Sequence, residues 1–367
     1  MTNMTQRYAQ LLTHYCLQVR PGDKVFISST LLAEPLVREV FREAYAAGAA
    51  LVECDWAFRE RELSFLQNAS DEALRTPPTL TKLGMETFDC YLNIRAPYNL
   101  REGANAPADR SKIRQEAMAP LNKTYFERTA DRRLRRNLCQ WPTDASAQEA
   151  GMSLSDYERF VFGACKLLAD DPMAAWLEVR RSQQHIVDFL NKKTAVRYLG
   201  EGIDISFSTK GRTWINSDGQ TNMPSGEVYT SPVEDSVNGT VHFTYPIVYA
   251  GRLVEGVTLW VKDGRVEKWE AKQGKELLDD VFANVAGARH FGEAAIGTNY
   301  KIDRFTKNIL FDEKIGGTIH MAIGQSYLQT GGKNQSSIHW DLIADMKNGG
   351  QIFADGEKIY EGGKFLL

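Results

Sequence analysis

Histidine is scarce in this chain and acid is not: six His stand beside 47 Asp and Glu. Two of the histidines sit where chemistry can be done. His339 and Asp341 alternate within Ser337-Ile338-His339-Trp340-Asp341-Leu342-Ile343, which reads as a strand. Period-two geometry puts both side chains on one face, ~6.6–7 Å apart along the backbone. Side chains converging from that spacing can meet at one ion, or at two ions ~3.5–4 Å apart. Taken alone, the pair fits a buried His–Asp hydrogen bond or an exposed strand face better than an ion site. A second short strand, Ile319-His320-Met321-Ala322-Ile323-Gly324, places His320, Ala322 and Gly324 together, so small neighbours leave room beside the imidazole for an ion or a substrate. Glu313 precedes His320 by seven residues and Tyr327 follows it by seven. Gly316-Gly317 and Gly324 permit the sharp reversals that would return those side chains toward the histidine.

Two further glutamates stand out by context. Glu227 lies in Asn222-Met223-Pro224-Ser225-Gly226-Glu227-Val228-Tyr229-Thr230-Ser231-Pro232, a loop feeding a strand with prolines fixing both ends. Glu293, in Gly287-Ala288-Arg289-His290-Phe291-Gly292-Glu293, leads directly into an apolar segment. A carboxylate at the mouth of a buried strand suits an ion ligand or a general base, although each glutamate taken singly also fits a surface ion pair.

The elements that must position these groups divide the chain in two. Residues 7–19 have helical spacing and end at Pro21-Gly22-Asp23; Lys24-Val25-Phe26-Ile27-Ser28 reads as a strand, 34–47 as an amphipathic helix, and Ala50-Leu51-Val52-Glu53-Cys54 as the next strand. That βαβ order predicts an N-terminal α/β domain with a parallel sheet. No glycine fingerprint follows the first strand, so the unit is read as scaffold and not as a dinucleotide site. Two helices are expected between 153 and 193, the second near 175–190. Beyond a boundary near 195, strand-like stretches at 196–199, 204–208, 241–245 and 253–261 predict a β-rich C-terminal domain with one helix at 274–285. The fold class is thus α/β and α+β, with domains at 1–195 and 196–367.

Composition excludes several functions. With 44 basic and 47 acidic residues the net charge is −3, which gives no global attraction to nucleic acid or an anionic membrane. The basic run Arg132-Arg133-Leu134-Arg135-Arg136 has no aromatic platform and reads as a solvated helix face. No stretch reaches the ~18 apolar residues of a membrane span. The start, Met1-Thr2-Asn3-Met4-Thr5-Gln6-Arg7-Tyr8, shows no basic–apolar leader. Five scattered cysteines without a CxxC pair argue against disulfides or a thiolate site, and a cytoplasmic location is expected.

The C-terminal motifs together resemble the thermophilic-type metallo-aminopeptidase family. Besides the two glutamate segments, Asn308-Ile309-Leu310-Phe311-Asp312-Glu313-Lys314, the His320 strand, Tyr327 and His339-Trp340-Asp341 carry the likeness. Glu34-Pro35-Leu36-Val37-Arg38, Ala47-Gly48-Ala49 and the stretch from Ala145 to Ser153 extend it more loosely through the N-terminal half. The connection from Tyr327 to His339 departs from the family in being short. The resemblance implies a two-metal centre ligated by Glu227, Glu293, Glu313, His320, His339 and Asp341, with Asp341 or a glutamate bridging. It gives Glu293 the part of ligand, general base or both, and gives Tyr327 a hydrogen bond to the transition state. It further implies peptide substrates with a free N-terminus and a homodimer. Two imidazoles and four carboxylates without sulfur suit Zn²⁺, Co²⁺, Mn²⁺ or Mg²⁺. The reading is a metal-dependent aminopeptidase. Its alternatives are a non-catalytic small-molecule-binding protein with a structural cation site, and a two-metal phosphoesterase.

Overall fold

The computed structural model describes residues 4–249 and 252–367. Met1, Thr2 and Asn3, part of the stretch read for a leader, lie outside the described residues. Contacts divide the chain into two units, 1–175 with 219–224, and 176–218 with 225–367.

The first unit is built on the expected parallel sheet. Strands β1 (Lys24–Thr30), β2 (Leu51–Ala57), β3 (Cys90–Arg95) and β4 (Arg135–Gln140) lie in the order β2-β1-β3-β4, and the short segment Asn222–Met223 adds a fifth, parallel strand beside β4. Helix α1 (Met4–Gln10) runs into a π-helical turn, Leu11–Cys16. Helix α2 (Glu34–Ala46) makes the β1–β2 crossover and buries Leu36, Val37, Val40 and Ala44 along one stripe. The basic run corrects the sequence reading. It is not a helix face: Arg135 opens β4, is nearly buried, and its guanidinium lies 2.7 Å from Asp23. The helix Ala108–Ala130 was not visible in the sequence, since only Leu121 of its 23 residues is buried and no stripe marks it.

The second unit holds an eight-stranded and a five-stranded sheet, whose paired strands are antiparallel among the described residues. The stretch expected as one strand at 253–261 splits at Glu255-Gly256 into Arg252–Val254 and Val257–Lys262. The helix Pro172–Leu190 starts three residues before its expected beginning at 175 and packs with the second unit. Ile186, Val187 and Leu190 join that unit's core, and buried Gln183 donates to the backbone oxygens of Ser217 and Glu227.

The five-stranded sheet runs His339–Asp345, Thr318–Gly324, Phe291–Gly297, Glu227–Thr230, Ile215–Ser217. One face is apolar: Trp340, Leu342, Ile319, Met321, Ile323, Phe291, Ala294, Ile296 and Val228 all enter the core. At ~1.5–3 kcal/mol for each large side chain fully buried, that face fixes the register, because a one-residue slip would turn it toward the other side.

Candidate metal centre

The register of this sheet gathers the chemistry on the opposite face. Asp341 pairs with Ala322, and Ala322 with Glu293; Gly324 pairs with His339; His320 pairs with Ala295; Gly297 pairs with Glu227. Small residues therefore separate the imidazoles and carboxylates across the strands, and leave space above the sheet. Strict alternation would put Glu293 on the same face as Phe291, in the core. A β-bulge between them changes the parity, so Phe291 enters the core and Glu293 faces the histidines. Glycine is required at the bulge, since a Cβ on Gly292 would lie 2.2 Å from the Gln325 oxygen. The fourth acid, Glu313, arrives from outside the sheet at the end of the short helix Ile309–Asp312, which Asn308 caps through the Leu310 amide.

Every acid and imidazole singled out in the sequence converges here. His339 Nε2 lies 3.0 Å from Glu293 and 3.4 Å from Asp341; His320 Nε2 lies 3.4 Å from Glu227 and 3.8 Å from Glu293. His339 Nδ1 donates to the Gln325 backbone oxygen at 2.7 Å, which fixes the ring with Nε2 toward the acids. Tyr327, about a third exposed, sets its ring 4.9 Å from that of His339 and 5.4 Å from that of Tyr229. Gly324, at φ +99°, makes the turn that carries the chain from the His320 strand toward Tyr327.

Electrostatics describe a site short of positive charge. Burial opposes an imidazolium at His320, but the negative charges of Glu293, Glu227 and Asp341 around it prevail, raising its pKa to about 9. His339 is likewise held well above its ordinary value: burial works against the charge and Asp341 and Glu293 overcome it. Burial pushes Glu313 up to about 7 even with Lys314 beside it. Asp341 goes the other way, to about 2, because His339, His320 and Lys314 outweigh its burial. Divalent ions bound here would compete with these protons.

The donor set fits divalent metal. Glu293, His339 and Asp341 offer one group of ligand atoms within 4.8 Å of one another; Glu313, His320 and Asp341 offer a second, so Asp341 belongs to both. Glu227 Oε2, Asp341 Oδ1 and His320 Nδ1 are buried with no hydrogen-bond partner among the described residues. Buried oxygens of this kind are costly unless something cationic meets them. Sulfur takes no part among the described residues: no cysteine belongs to either ligand group, and burial pushes the thiols of Cys54, Cys90 and Cys165 up to about 12. The sequence reading assigned nothing to one member of this cluster, Lys314. Its side chain is fully buried and bonds to Glu313. The signal was a lysine directly following a candidate ligand.

Comparison with known proteins comes to the same place. The thermophilic metalloprotease (M29) family matches residues 1–365. "Aminopeptidase 2" of Geobacillus stearothermophilus is 30% identical, with 98% of this chain and 97% of that protein covered. "Aminopeptidase PepS" of Streptococcus thermophilus is 28% identical over 99% and 98%. Among solved structures, "Wild-type AmpT from Thermus thermophilus" superposes with a TM-score of 0.86 over 99% of both chains at 23% identity, a likeness of fold.

Proposed function

The chain belongs to the thermophilic metalloprotease (M29) family, and from that premise we propose that it is a metal-dependent aminopeptidase that releases N-terminal residues from peptides at a two-ion centre. The observation that carries the reading is the pair of ligand groups sharing Asp341 on one sheet face. Glu293, His339 and Asp341 would hold one ion, and Glu313, His320 and Asp341 the other, with Glu227 beside His320 completing the set. Zn²⁺, Co²⁺, Mn²⁺ or Mg²⁺ suits these ligands. Bound there, the ions supply Lewis-acid activation of water and of the scissile carbonyl.

The chain's own groups do the rest. Glu293 takes a proton from the attacking water and returns it to the departing amine, a role that its position between two imidazoles supports. Tyr327 donates to the oxyanion that develops at the carbonyl. Burial, then the charges of Glu293, Asp341 and Glu313, hold its phenol well above the ordinary value, so it stays a donor throughout the working range. An exopeptidase of this kind would take the free α-amine of its peptide at the filled metal centre, which orients the substrate. A homodimer and a cytoplasmic location accompany the family reading. Among the described residues no helix is long and apolar enough to cross a membrane.

A panel of aminoacyl anilides, assayed with a chelator and then with added Co²⁺ or Zn²⁺, tests the proposal alongside Glu293→Gln. Metal-dependent release of the anilide is expected, with kcat reduced about 100-fold or more in the variant. A protein that ignores these substrates, or cleaves a generic phosphate ester in their place, is not an aminopeptidase. A variant at full rate removes Glu293 as the base.

A further inference from the structure

Lys314 has no part in holding metal or cleaving a peptide, yet its side chain is 0% exposed and lies against the ligand acids. Its ammonium bonds to Glu313, stands 3.7 Å from Glu227 Oε1, and is felt at Asp341. A buried ammonium is tolerated only where acids compensate it, so this lysine is tied to the cluster and not merely adjacent to it. An apolar residue of similar length would fill the same space and leave Glu313 without a partner.

Charge shows what the lysine adds. The carboxylates of Glu227, Glu293, Glu313 and Asp341 balance two divalent ions with nothing left over. Lys314 then leaves one positive charge in a site closed to water on the sheet side. We propose that Lys314 is a built-in third cation of the metal centre, which restrains the affinity for divalent ions and reserves the filled centre for a small monoanion. The proposal rests on the two-ion reading above. Its physical content is that one fixed charge repels the ions and attracts the anion over similar distances, so its removal moves the two affinities in opposite directions. A lysine that only braced the fold would, on removal, loosen both.

The test titrates wild type and Lys314→Met with Co²⁺ by calorimetry, then titrates the cobalt-loaded proteins with fluoride as the monoanion, followed in the visible cobalt spectrum. In Lys314→Met, the cobalt Kd is expected to fall by about tenfold or more and the fluoride Kd to rise by about tenfold or more. Lys314→Arg, which keeps the charge, should restore fluoride binding to within a few-fold of wild type. Circular dichroism checks folding first; where Lys314→Met does not fold, Lys314→Gln, whose amide can still donate to Glu313, carries both readouts. Affinities that stay unchanged or weaken together overturn the proposal. So does the loss of one cobalt ion from the variant, which would make Lys314 a ligand. Wild type taking up fewer than two cobalt ions per chain overturns the metal-centre reading along with it, and that failure is visible before any variant is made.

Discussion

Asp341→Asn is the substitution that the shared geometry makes most informative. Asp341 is 8% exposed, and its carboxylate belongs to both ligand groups, whereas Glu293 and Glu313 each belong to one. Ligand atoms within 4.8 Å of one another put an ion about 3 Å from each, and at an effective dielectric of ~20 the lost unit charge removes on the order of 10 kcal/mol of gross attraction per ion. The amide oxygen of Asn and entering water return most of this. A net loss of ~3 kcal/mol, about a hundredfold in Kd, is expected at each of the two binding steps. Calorimetric titration of chelator-treated protein with Co²⁺ reads both steps. Glu313→Gln should weaken one step only, and Glu293→Gln the other. If Asp341→Asn weakens a single step, or if Glu313→Gln weakens both, the sharing inferred from the structure is wrong.

Further outcomes follow from the same geometry. With the ions chelated, His320 (raised to about 9) contributes stability that is complete below pH 6.5 and lost as the pH rises through 9. Glu313, raised to about 7, acts in the same sense between pH 4.5 and 7. Thermal melts of chelated protein should therefore lose ~1–3 kcal/mol from pH 6 to 9, while metal-loaded protein does not; a flat chelated profile contradicts this. Tyr327→Phe should lower kcat about 100-fold with little change in KM, and equal loss in both parameters would assign the phenol to substrate binding. Gly324→Ala places a Cβ 2.3 Å from the Ile338 oxygen at φ +99°, so its Tm should fall by an amount equivalent to about 1–3 kcal/mol or more. A melt equal to wild type would show that the turn can relax.

Much of the site was legible because its residues alternate in strands. His320 and His339-Trp340-Asp341 each declare a face by period two, and small residues beside them, Ala322 and Gly324, announced the space above. Glu227 stood out through the prolines at both ends of its loop, and Glu293 through the apolar segment it leads into. What alternation could not give was the aim of Glu293, which depends on a bulge at Gly292 whose necessity lies in a contact with Gln325 from another segment. Lys314 was overlooked for a related reason: a lysine in a short loop reads as solvated, and only the fold closes over it. In the first unit, β1 and β2 were plain from their apolar runs. Strand β4 was hidden behind arginines, because the Asp23 that neutralises Arg135 lies more than a hundred residues earlier. The family resemblance brought the ligands together on paper; register and packing supply the physical reason they meet.

The most direct measurement is the count and position of divalent ions on the wild-type chain, by elemental analysis of Co²⁺- or Zn²⁺-loaded protein and anomalous diffraction from its crystals. The account requires two ions per chain, one among Glu293, His339 and Asp341 and one among Glu313, His320 and Asp341. A single ion, or ions bound elsewhere while these side chains stay as they are, would contradict it.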